Sequence, residues 1–98
     1  MQQELQARQF KRSQDFVARK IAGEIVLIPL QRHLENVNSI YSLNEVGALV
    51  WDALDGKRSV SELREMLFET FEVNPAQLDQ DLTTLLTQLE EIKAIHCE

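Results

Sequence analysis

The stretch "SIYSLNEVGALVWDALDG", residues 39–56, sets a short strand directly against a helix. In "SIYSL", Ile40 and Ser42 fall on one face and Tyr41 and Leu43 on the other, the period-two alternation of a β-strand. Asn44 then stands where a helix cap belongs, its side-chain oxygen able to take an amide two or three residues on. Val46, Leu49, Val50, Ala53 and Leu54 form an apolar stripe after it. Trp51 widens that stripe until only Glu45, Ala48 and Asp52 remain for solvent, so this helix belongs in the middle of a core. Gly47 lies on the buried side, where a missing side chain permits close approach by another element at ~1 kcal/mol in helix propensity. Asp55-Gly56 is expected to stop the helix, with Gly in the left-handed position beyond the C-cap.

Upstream, "DFVARKIAGEIVLIPL" reads as a hairpin, Phe16 to Ile21 pairing Glu24 to Ile28 around Ala22-Gly23. The run "IVLIPL" is apolar on both faces, as a central strand would be, and Pro29 marks its end. "QRHLENVN" is a polar loop, which leaves Ser39 to Leu43 as the third strand and, in a simple meander, an edge. Downstream, Ser59 and Glu62 form a capping box ahead of Val60, Leu63, Met66, Leu67 and Phe71 at helical spacing. Asn74-Pro75 starts a third helix, with Leu78, Leu82, Leu85, Leu86, Leu89 and Ile92 along one face. The first fourteen residues offer Leu5, Ala7 and Phe10 among Gln, Arg and Lys, which is too little to bury. They read as a flexible arm, 1–14, with room for a brief helix, before one domain, 15–98. The expected class is α+β, a three-stranded antiparallel sheet followed by three helices.

Composition narrows the function. Ninety-eight residues at 44% hydrophobic support one compact domain. Residues 1–58 carry a net +1 and residues 59–98 a net −7, so the C-terminal part would repel nucleic-acid phosphates and anionic membranes. A lone Cys97 cannot close an internal disulfide, which makes a cytoplasmic protein the default. No apolar run approaches the ~18 residues of a membrane span. His33 in a loop and His96 beside Cys97 near the end do not make a metal site, and the chain has no nucleophile elbow and no phosphate-cradling glycine loop. Asp79 and Asp81 diverge on a helix, as do Glu90 and Glu91, so neither pair is poised for acid–base work. The expectation is a protein that is not an enzyme and needs no cofactor or metal. The same elements could build a winged-helix nucleic-acid-binding regulator. The third helix, however, would present Gln77, Asp79, Gln80, Asp81, Gln88 and Glu90 without Arg or Lys before Lys93, which disfavours duplex DNA. Another alternative is a structural subunit of an enzyme complex.

Several features together resemble the PqqD-like family, also called RiPP recognition elements, small peptide-binding domains of ribosomal natural-product pathways. They are "IYSLNEVGALVWDALDGKRSVSEL", with its Leu43-Asn44 strand end, Glu45-Val46-Gly47-Ala48, Trp51, Asp55-Gly56 and Ser59-Val60-Ser61-Glu62-Leu63, followed by "LDQDLTTLLTQLEE". "FVARKIAGEIVLIPL" is also similar, and the resemblance covers roughly residues 15 to 95. It implies a winged-helix-like fold. It also implies a non-catalytic peptide chaperone that holds the leader of a precursor peptide for a tailoring enzyme, in this family often a radical S-adenosylmethionine enzyme. The leader would add as a further strand beside the third strand and lie against the third helix.

An edge strand does present unpaired N–H and C=O groups for an extended guest. The candidate peptide-binding residues are therefore Ser39, Ile40, Tyr41, Ser42 and Leu43, with Asp79, Leu82, Thr83, Leu86 and Glu90 along one border of the third helix. Leu78, Leu85 and Leu89 are read as mid-stripe core. Periodicity leaves the opposite border, Asp81 and Gln88, open. The same free edge would let the chain form a homodimer by edge pairing or by exchange of elements.

Overall fold

The computed structural model describes residues 3–30 and 41–97. The chain runs α1 (Gln3–Ala7), β1 (Gln9–Arg12), β2 (Phe16–Ile21), β3 (Glu24–Pro29), β4 (Tyr41–Leu43), α2 (Glu45–Ala53), β5 (Asp55–Ser59), α3 (Val60–Thr70), α4 (Pro75–Glu91) and β6 (Ile95–Cys97). These form two three-stranded antiparallel sheets, ordered β2-β3-β4 and β5-β1-β6, and helices that share one apolar core. The α+β class and winged-helix-like arrangement are as expected. A second sheet is an addition to it, and the first described residues form a brief helix, α1.

The first sheet follows the sequence pattern. Ala22 and Gly23 have φ of 51° and 84°, the two left-handed positions of a tight hairpin turn, and register runs from Ile21 opposite Glu24 to Phe16 opposite Pro29. β3 is central, and β4 pairs with it through Ile25 opposite Leu43 and Leu27 opposite Tyr41. Ile25, Leu27 and Leu43 point into the core. The expected polar loop after β3, and the candidate residues Ser39 and Ile40, lie outside the described residues.

The second sheet corrects the expected arm. Residues 9 to 12 form its middle strand, and Phe10 is 1% exposed. β5 lies on one side, with Gln9 opposite Ser59, and β6 on the other, with Phe10 opposite Cys97 and Arg12 opposite Ile95. A four-residue strand in which one residue is fully buried carries too little alternation to register in sequence; its burial depends on β5 and β6, which lie far along the chain. The residues after α2 are corrected too. That helix ends at Ala53 with Leu54 as its cap, and Gly56 sits inside β5 with φ of 80°. A Cβ there would meet the Lys11 side chain at 3.5 Å, and β1 slips register between Gln9 and Lys11, so Gly56 is a bulge glycine against β1 and not a C-cap residue.

The helix starts are as read. Asn44 Oδ1 accepts from Gly47 N at 2.9 Å. Ser59 and Glu62 complete a reciprocal capping box, and Asn74 caps α4 ahead of Pro75. After α4, Ala94 N donates to Leu89 O at 2.9 Å with Lys93 in the left-handed region (φ 63°), turning the chain into β6.

Candidate functional site

A cleft of about 530 Å³ opens between β4, the beginning of α2 and one flank of α4. Its geometry begins at Asn44, the one residue between β4 and α2. The asparagine takes Gly47 N on its side chain, and its carbonyl accepts from Ala48 N at 2.7 Å. Gly47 allows this abrupt join, since a Cβ there would lie 3.2 Å from Leu43 Cβ. The strand is thereby fixed against the helix, and among the described residues its outer edge is free. Among the described residues β4 pairs with β3 alone, at the end of the sheet.

Side chains of β4 alternate about this edge. Leu43 is buried, Ser42 is exposed and Tyr41 is half-buried, its hydroxyl reaching across to donate to Gln88 Oε1 on α4. Burial pushes the Tyr41 phenol above its ordinary pKa. The floor is apolar, formed by Val46 and Val50 of α2, Leu67 of α3 and Val73 ahead of α4. The wall opposite β4 consists of Gln77, Asp81 and Leu85.

That wall is the other border of α4 from the one favoured on sequence. Leu82 and Leu86 are 2% and 1% exposed, and Leu82 contributes only to the cleft's base, while Leu85 is the leucine left half-buried and lining it. Asp79 receives two hydrogen bonds from the Arg64 guanidinium of α3, the Nη2–Oδ2 contact being 3.3 Å. The Arg64 hydrogen bond holds the Asp79 carboxyl below its usual range. Glu90 Oε2 meets Arg8 Nη2 at 2.8 Å beside β1. Thr83 lies along the same border, where its carbonyl accepts from the Thr87 hydroxyl. Asp79, Thr83, Leu86 and Glu90 are therefore not brought to the edge strand; of the α4 candidates only Leu82 touches the cleft, together with Tyr41, Ser42 and Leu43 of β4.

The apolar stripe of α4 has two borders of like composition, Leu86 with Asp79 and Glu90, Leu85 with Asp81 and Gln88. The helical spacing places Leu85 mid-stripe with the core and Leu86 at a border; the structure reverses the two, sealing Leu86 and leaving Leu85 half-buried at the cleft. Val46 and Val73 were missed as well; Val46 reads as ordinary core, and Val73 is a single apolar residue in a polar connection without a pattern around it.

Among the described residues, no helix is long and apolar enough to cross a membrane, and no three His, Cys, Asp or Glu side chains gather as a metal ion would need. The family model of coenzyme PQQ synthesis protein D (PqqD) matches residues 24–95, a span holding β3, β4 and every wall of the cleft. No curated protein matches the chain. Among solved structures it is similar to TbiB1, determined in complex with the TbiA(beta) leader peptide: the two are 23% identical over 88% of this chain and 94% of that one, with a TM-score of 0.72. The likeness is one of fold.

Proposed function

This chain belongs to the PqqD family, and on that premise we propose that it is a non-catalytic module that binds the leader of a ribosomally made precursor peptide and presents it to a tailoring enzyme. The observation that carries this reading is the free edge of β4 beside an apolar cleft. A guest strand would satisfy the outward backbone groups of β4 and drop alternate side chains towards Val46, Val73 and Leu85. The similar fold of TbiB1, solved with a leader peptide, supports the leader-binding reading. Main-chain pairing makes such a site tolerant of sequence, and the cleft would supply selectivity.

The test is amide hydrogen exchange with the leader half of a short precursor encoded beside the gene. Binding should slow exchange at the outward amides of Tyr41 to Leu43, with smaller changes in β2. Unchanged exchange throughout β4 at saturating leader would rule the reading out. Dimerisation through the same edge would compete with leader, so a dimer that persists in excess leader would have to form elsewhere.

A further inference from the structure

Among the fifteen residues lining the cleft, Asp81 is the one with a charged side chain. Its standing differs from that of the other carboxylates on the flanks of α4. Asp79 is held by Arg64 and Glu90 by Arg8, whereas the hydrogen bond that Asp81 accepts, at 2.8 Å, comes from the neutral amide of Gln77 one turn earlier. A carboxylate aligned by a neutral donor, at the lip of an apolar hollow and without a cation among the described residues, has its charge available to whatever enters. Resting on the leader-binding reading, we infer that Asp81 is a specificity-determining residue, selecting guest peptides that carry Lys or Arg next to the apolar side chain seated against Leu85.

An opposing field has to be weighed. The N-termini of α2 and α4 both open on the cleft through their caps, Asn44 and Asn74, and each helix end is equivalent to roughly half a positive charge. The caps already occupy the amides that an anion would use, Gly47 N at one end and Ala76 N and Gln77 N at the other. Glu45 in the first turn of α2 offsets the field of that helix, while α4 has no acidic residue in its first turn. The full charge of Asp81 therefore outweighs the remaining half-charge, and a cationic guest is favoured.

A randomised ten-residue peptide library displayed on mRNA, selected in parallel on the wild-type protein and on Asp81→Asn and Asp81→Lys, separates the possibilities. Wild-type winners should be enriched in Lys or Arg at one position beside an apolar residue, by about the two- to fivefold that a partly exposed ion pair supports. That enrichment should vanish with Asp81→Asn and turn to Asp or Glu with Asp81→Lys. Winners that slow amide exchange at Tyr41 to Leu43 but show no basic preference would overturn the role of Asp81 and leave strand addition standing. Enrichment of acidic residues on the wild type would assign charge selection to the helix N-termini instead, against the inference. Winners that bind without slowing exchange there would overturn both the inference and the reading it rests on.

Discussion

On the flank of α4 that faces α3 and β6, Leu86 is sealed at 1% exposure and both carboxylates have arginine partners from outside the helix. On the flank that faces β4, Leu85 is half-buried, Asp81 has, among the described residues, only a neutral partner from its own helix, and Gln88 meets a tyrosine hydroxyl. The side chains themselves hardly differ. The neighbours do: one border is covered by elements that bring Arg8 and Arg64 with them, while the other is met by a strand of three residues at the end of its sheet. An amphipathic helix thus builds core along one border and a groove along the other from the same alphabet.

The largest expected effect breaks this comparison most directly. Leu86→Ala should destabilise the protein by about 2–5 kcal/mol because it leaves a cavity in a sealed position, whereas Leu85→Ala, losing a part-exposed contact, should cost about 1 kcal/mol or less. Urea unfolding of the two variants measures the difference, and equal losses would mean that both borders are core. Tyr41→Phe comes next. It removes the hydroxyl bond between β4 and Gln88 and should cost about 0.5 kcal/mol, the low end for a solvent-accessible hydrogen bond. The same variant should bind guest strands at least as fast as the wild type; slower association would show that the Tyr41 hydroxyl contacts the guest.

The smallest effect is on acid stability. Because Arg64 lowers the folded-state pKa of Asp79, the carboxylate contributes stability above its ordinary pKa of ~3.9, and this is lost as pH falls through the lower folded value. Arg64→Gln should therefore flatten the fall in thermal midpoint below about pH 4. The change will be slight, since the pair is close to solvent. An acid slope identical to wild type would show that the contact on the covered flank carries no charge coupling.

Much of this was legible in the chain. The hairpin turn at Ala22-Gly23, the caps at Asn44, Ser59 and Asn74 and the close approach permitted by Gly47 all depend on residues within a few positions of each other, where dihedral preference and local hydrogen bonds decide, and the edge position of β4 followed from the order of the strands in a simple meander. The middle strand β1 was not legible, because Phe10 is buried by β5 and β6, about forty-five and eighty-five residues further along. Gly56 was recognised as requiring a positive φ but placed in the wrong setting, since a C-cap and a β-bulge ask the same of the backbone.

The sequence by itself determined the α+β class, where the long helices begin, and that a short strand would stop against a helix with an edge to spare. Only the tertiary structure decided which border of α4 looks onto that edge. A repeat of apolar residues defines a stripe and its two margins but carries no information about which margin a distant element will cover. That depends on Arg8 and Arg64 arriving from elsewhere in the chain to hold Glu90 and Asp79, and on β4 ending where Leu85 and Asp81 stay open.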